Sequence, residues 1–409
     1  MLKKIHFKKQ YLLFIAFFIF GLIPLSSQRV EVFVSIIFSL LLGVYYYLIR
    51  KKKRTEINKT YLLNSLLFFV LLLTLHDGID LKTFKKLEQM FSLLIFPVLF
   101  FLIAKADKSV LNEAFKIWKK VFVFATFIFS VICFLIFSNY TNPKYPNLDS
   151  NFFINAIQDS SYFSRHPIYV SLFLNIASLI VVDTFLKCKK NTKKLLYVFF
   201  FLIFSTLLFL LSTKMAILSL LISLIILLYF KLSKKVFFVS FISLIFLTFI
   251  LIQNSPQKFN RFSKIFEKNV LIKNEKYNSI FIHKETILCS LKIFKENLFL
   301  GIGLENSNFH VNNCLRENFK YNPNIVYNSH NQYLSFGLHS GLIGFIMLII
   351  ILIDALKNSF KNHNLLFVFM LYFSIIFLTE NVLERQTGIV LFAFILNIIP
   401  LFNTFTKTR

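Results

Sequence analysis

Apolar runs of roughly 20 residues alternate with short polar connectors from one end of the chain to the other. A run of that length spans a bilayer as a helix, which satisfies its own backbone hydrogen bonds in lipid. Twelve runs are read, at about 11–27, 30–49, 61–76, 90–104, 121–138, 167–186, 195–211, 215–230, 236–253, 335–356, 365–379 and 388–404. Pro24 lies inside the first, and the polar Ser212–Lys214 separates the seventh from the eighth. Two connectors are longer than the rest. In 139–166, Pro143 and Pro146 predict irregular chain. The other, 254–334, is the one domain-sized polar segment. Within it Ile287, Leu291, Phe294 and Leu298 recur at helical spacing, with Lys284, Lys292, Lys295 and Glu296 elsewhere around the helix. This predicts an amphipathic helix that lies on the membrane face or packs across the spans, ended by Gly301 and Gly303. The pattern predicts an all-α polytopic membrane protein of about twelve transmembrane helices. Nine fall in 1–253, a large loop in 254–334, and three in 335–409.

Composition agrees, with 56% hydrophobic residues against the roughly 45–50% of soluble domains. The formal charge of +27 raises nucleic acid as a partner, but its placement argues against that. Lys and Arg crowd into alternate connectors: Lys3 to Lys9, Arg50 to Arg54, Lys105 to Lys120, Lys187 to Lys194 and Lys231 to Lys235. The short connectors between them carry only Arg29, Lys82, Lys85, Lys86, Lys144, Arg165, Lys214 and Arg385. By the positive-inside rule the crowded set and both termini are cytoplasmic, and the long loop is outside. The basic N-terminus resembles that of a signal peptide, and is read as leading an uncleaved first helix. Cys133, Cys188, Cys289 and Cys314 have no zinc-ligand or disulfide-framework spacing; Cys289 and Cys314 both lie outside, where pairing is open to them.

Candidate chemistry gathers on the same side. Residues 328–344 read N-S-H-N-Q-Y-L-S-F-G-L-H-S-G-L-I-G, a polar turn running into a span with Gly337, Gly341 and Gly344 near one side. His330 is either a capping polar residue or a base, since imidazole titrates near working pH and can take a proton from an attacking hydroxyl. Arg165 and Arg385 stand at the outer ends of two spans. Each is either a snorkelling anchor or a fixed fork of donors for phosphate. The long loop holds eleven basic residues, Arg261 and Arg316 among them, against six acidic ones, which suits an anionic substrate. Glu305 and Asp159 are the carboxylates nearest these motifs. Gly301-Ile302-Gly303 is not a nucleotide loop, because no strand precedes it and no G-K-[ST] follows.

Four segments together carry a family resemblance: H-N-x-x-L…G-x-x-G from His330, S-T-K-M-A-I-L at 212–218, the run ending F-L-G-I-G at 299–303, and E-R-Q-T-G-I-V at 384–390. In this order they resemble the O-antigen ligase and O-antigen polymerase superfamily, over about the C-terminal half of the chain. The resemblance implies a lipid-linked glycosyltransferase-like fold in the bacterial inner membrane, with the active site periplasmic. It implies transfer of a glycan from an undecaprenyl diphosphate carrier to lipid A-core. Alternatives within the family are polymerisation of carrier-linked repeat units and transfer to a protein hydroxyl. His330 and Asn331 take the catalytic positions by resemblance. Arg165, Lys214, Arg385, His283 and Arg261 are the expected diphosphate contacts, and neither ATP, metal nor other cofactor is expected. The sequence departs from the family where Lys214 replaces an arginine, where His283 stands near a further arginine position, and at His339, often acidic. The rival of another class is a transporter or flippase, which calls for paired broken helices and midplane ionisable residues. Asp183 and Asp354 instead fall near the cytoplasmic ends of their spans.

Overall fold

The computed structural model describes residues 2–50, 59–77, 81–140, 150–253, 279–319 and 326–403. Among the described residues every regular element is a helix. Seven helices among the described residues are long and apolar enough to cross a membrane, and shorter apolar helices cover 9–21, 59–75, 364–376 and 386–402. The protein is therefore an all-α polytopic membrane protein. The chain packs as two compact units whose pieces interleave along the sequence, a grouping unrelated to the order of spans and loop.

The first unit comprises 1–53, 105–267 and 364–372. Its helices are α1 (Leu2–Gly21), α2 (Gln28–Ile49), α6 (Lys108–Asn139), α7 (Ser150–Gln158), α8 (Pro167–Lys187), α9 (Asn191–Leu211), α10 (Lys214–Lys231) and α11 (Lys234–Gln253). At its centre is α8, buried on almost every side. Pro167 starts it, needing no N–H partner at that position. Midway, Asn175 donates to the Ala216 carbonyl and to the Tyr372 hydroxyl, each at 3.0 Å. Such a bond between helices contributes about 1 kcal/mol in lipid. Hydroxyls elsewhere satisfy themselves on the preceding turn, as Thr126 does on Phe122 and Ser130 on Thr126, which lets them sit in an apolar core. The expected break at Ser212–Lys214 is present: Ser212 takes the left-handed conformation (φ 50°) between α9 and α10. The 139–166 connector is less irregular than its prolines imply, because α7 forms within it; Pro143 and Pro146 lie outside the described residues.

The second unit comprises 54–104, 268–363 and 373–409. It contains α3 (Lys59–Leu71), α4 (Leu81–Met90), α5 (Ser92–Ile103), α12 (Ser279–Glu296), α13 (Asn306–Phe319) and α14 (Gln332–Asn362). The end of α15 (Asn364–Ile376) and α16 (Gln386–Asn403) complete it. The core surrounds α16, where Asn64 bonds Asn397 at 3.0 Å and Phe394 meets Phe100 edge-on. Lys82 and Lys86, read as connector residues, lie on α4: Lys86 donates to the Leu304 carbonyl at 2.6 Å and Lys82 pairs with Glu305 at 2.9 Å.

The amphipathic helix exists as α12, but its buried face is rotated from the expected stripe. Cys289, Ile293 and Phe294 are buried, whereas Leu291 is partly exposed. Two contacts turn the helix. A disulfide joins Cys289 to Cys314 of α13. The Phe294 ring lies so close to Gly337 that a Cβ there would come within 2.9 Å of it. A cluster with Ile302, Val311, Leu315, Leu334 and Leu338 completes this small core.

Candidate active site

The site is built where α14 begins. Asn331 caps the helix: its Oδ1 accepts from the Leu334 N–H at 2.9 Å and its Nδ2 donates to the Leu378 carbonyl at 3.0 Å. The next residue, Gln332, is buried; its N–H donates to the Phe377 carbonyl at 2.8 Å and its Oε1 accepts from the Leu383 N–H at 2.6 Å. These bonds tie the helix start to residues 377–383, the segment between α15 and α16.

Just before the cap the backbone turns sharply. His330 has φ 45°, the left-handed region, which costs a residue with a Cβ about 1–2 kcal/mol. Asn328 supports the turn, its Oδ1 accepting the His330 N–H at 3.0 Å. The imidazole is thereby aimed at the 380 segment and not along the helix. Its Nδ1 stands 4.0 Å from Glu380 Oε2 and makes no hydrogen bond among the described residues. The ring of His283, near the start of α12, lies over it at 4.1 Å between centroids. Both His330 and Glu380 are about three-quarters shielded, with side chains 23% and 24% exposed.

Behind His330 a polar network is buried. Asn381 Nδ2 donates to Ser329 Oγ at 2.9 Å and to Glu384 Oε1 at 2.8 Å, and Ser335 Oγ donates to the same Glu384 oxygen at 3.3 Å. His339, fully buried, adds its Nε2 at 3.5 Å from Ser335 Oγ. Glu384 leads into Arg385, which is exposed at the head of α16. There Gly388 is required, since a Cβ would meet the Val382 carbonyl oxygen at 1.9 Å.

Helix α14 is itself broken. Ser340 and Gly341 leave helical geometry, Gly341 with φ 65°. The loop after α12 fills the gap: Leu342 N–H donates to the Leu298 carbonyl at 2.6 Å, and Ile302 N–H to the Leu338 carbonyl at 2.7 Å. Only glycine fits the crossing, because a Cβ on Gly341 would sit 2.2 Å from the Phe299 oxygen. The glycines of the motif thus admit loop backbone as well as a neighbouring side chain.

Of the expected site residues, His330, Asn331, His283 and Arg385 belong to the second unit, and His283 and His330 touch. Arg261 lies outside the described residues. Lys214 opens α10 in the first unit, half-buried. Arg165, also in the first unit, is fully buried: Nη1 pairs with Glu31 at 2.6 Å, Nη2 donates to the Ser26 carbonyl, and the guanidinium lies over the Phe173 ring at 4.8 Å. The two carboxylates nearest the motifs in sequence are engaged: Glu305 with Lys82, and Asp159 accepting from the Tyr140 hydroxyl at 2.6 Å. Sequence reasoning missed Glu380 and Asn381, and gave no role to Glu384 although it opens the E-R-Q-T-G-I-V segment. Their signal was two acids and an amide immediately before Arg385, in a connector otherwise too short to notice.

Residues 199–349 match the family model described as O-antigen ligase, a stretch that contains Lys214, His283 and His330 and stops before Glu380. No curated protein matches the chain.

Proposed function

We propose that this chain, which carries the O-antigen ligase family region over residues 199–349, transfers a glycan from a polyprenyl diphosphate carrier to lipid A-core at the periplasmic face of the inner membrane. One observation carries the reading: an imidazole without a hydrogen bond on Nδ1, held in a strained turn and facing a carboxylate. That arrangement suits a general base whose protonated form is stabilised after it accepts a proton.

In the proposed step an acceptor hydroxyl oxygen attacks the anomeric carbon of the carrier-linked sugar. A new glycosidic bond forms while the bond to the diphosphate breaks, and the hydroxyl proton passes to His330. Glu380 then faces an imidazolium. The bond electrons leave with the polyprenyl diphosphate, for which the exposed Arg385 and the His283 beside the base are the nearest candidates in this unit. Asn331 serves by holding the helix start, since both ends of its amide are engaged there. Arg165 and Lys214 belong to the other unit and enter as targets for substitution. The Cys289–Cys314 bond supports an exterior loop, because disulfides persist in oxidising compartments.

Proteoliposomes containing the purified protein, a polyprenyl-diphosphate glycan and lipid A-core test this directly. The expected product is one glycan block joined to lipid A-core, with polyprenyl diphosphate released. A ladder of repeats still on the carrier would assign polymerisation instead. Movement of the donor across the bilayer without any new glycosidic bond would replace the enzyme with a transporter.

A further inference from the structure

Among the described residues, the loop that fills the break in α14 carries an uncommon surface for a segment outside the spans. Leu298 is 39% exposed, Phe299 83% and Leu300 49%. Three backbone bonds anchor this turn: Gly301 N–H donates to the Asn297 carbonyl at 3.0 Å, the Leu298 carbonyl accepts from Leu342, and Ile302 donates to Leu338. A turn anchored to a membrane-length helix with its side chains bare and apolar suits the membrane interface, where the side chains reach the acyl boundary and the backbone stays at headgroup level.

Its point of attachment gives the depth. Leu342 is the first residue of an exposed apolar stripe on α14 that continues through Ile343, Ile346, Ile350 and Ile353. This helix has the length and composition of a span, so the stripe faces lipid. The Leu298–Leu300 turn is hydrogen-bonded onto the head of that stripe and continues it. Exposed Lys292, Lys295 and Glu296 precede the turn on α12, where the headgroups would lie.

We propose that Leu298–Phe299–Leu300 is an interfacial tip whose side chains insert into the outer-leaflet acyl boundary. Its partner is the bilayer itself, and the tip fixes the depth at which the broken helix, and His330 at its head, sit beneath the surface. This goes beyond the transfer reaction and rests on α14 crossing the membrane with its His330 end outside, as in the proposed function.

The test uses the full chain in lipid nanodiscs with Phe299→Trp. The single native Trp118 is fully buried and serves as an internal background. Brominated-chain lipids should quench the introduced tryptophan strongly and iodide weakly, while Glu317→Trp, on the exposed face of α13, should show the reverse. In the unsubstituted protein, a lipid with a diazirine in its acyl chain should crosslink to the peptide containing 298–300. Quenching at 299 by iodide and not by brominated lipid, with no crosslink, would overturn the proposal. Shielding from both quenchers would overturn it too, and would assign the tip to a second copy or a protein partner. Loss of transfer activity in these variants bears on the reaction and not on this placement.

Discussion

Arg165 and His330 make an instructive pair, one in each unit. Both are basic, both fall on the outward side by the positive-inside rule, and both take positions that the family resemblance marks as functional. Yet the guanidinium is fully buried, with a carboxylate at 2.6 Å, a carbonyl and a ring face about it, whereas His330 Nδ1 makes no hydrogen bond among the described residues and its backbone is strained. A charge matched inside the protein has its electrostatic energy committed to packing, and removing one partner leaves the other stranded. A group held unmatched, at a conformational cost that the surrounding bonds sustain, fits the base we propose, which waits for a substrate. The two residues teach that chemical type at the right place on a span does not separate the two roles. The tightness of the charge pairing, 2.6 Å for Arg165 against 4.0 Å for His330, is what we propose separates them.

The comparison can be broken at either end, and His330 offers the largest effect. His330→Gln should lower transfer by about 10²–10⁴-fold with normal amounts of protein in the membrane, since this is the usual contribution of a general base. His330→Gly should be as inactive and yet more heat-stable, by about 1 kcal/mol, because glycine relieves the positive φ. A histidine kept for structure would give the opposite pair: active Gln and destabilised Gly variants. Turnover in proteoliposomes and thermal unfolding in detergent read the two halves.

Arg165→Ala should instead destabilise the fold by about 3–5 kcal/mol, leaving Glu31 buried without its partner. Arg165→Met combined with Glu31→Leu should recover most of that loss in thermal unfolding and retain transfer. If the double variant is stable but inactive, the guanidinium serves the diphosphate after all and the contrast collapses.

Smaller effects sharpen the picture around His330. Arg385→Lys keeps the charge but loses the bidentate fork, so a diphosphate contact predicts about a tenfold fall in transfer, measured as kcat/KM for the donor. A mere helix anchor predicts near-native turnover. Glu380→Gln removes the carboxylate that faces the imidazole, and should cost about fivefold in kcat with little change in donor KM. The modest figure reflects a 4.0 Å contact that water partly screens.

Much of the fold was legible in the chain because the bilayer imposes a local rule. Each apolar run must close its own hydrogen bonds, so run length alone predicts a helix, and a helix lies at every predicted run. The break at Ser212 and the glycine-bearing motif from His330 were equally local. Family resemblance added roles to particular positions, and the match over 199–349 agrees with it at the level of the family.

What the sequence by itself determined was therefore the membrane class, the helical elements and the stretch where polar chemistry gathers, since all three follow from runs of neighbouring residues. Only tertiary packing decided the rest. It grouped the helices into two interleaved units, rotated α12 through the Cys289–Cys314 bond and the Phe294–Gly337 contact, and split α14 to admit the loop at Gly341. It also gave Arg165 to Glu31, 134 positions away in the chain, and Glu380 to His330, 50 away. Whether a polar atom is satisfied depends on partners that distant, and periodicity or motif spacing carries no information about them.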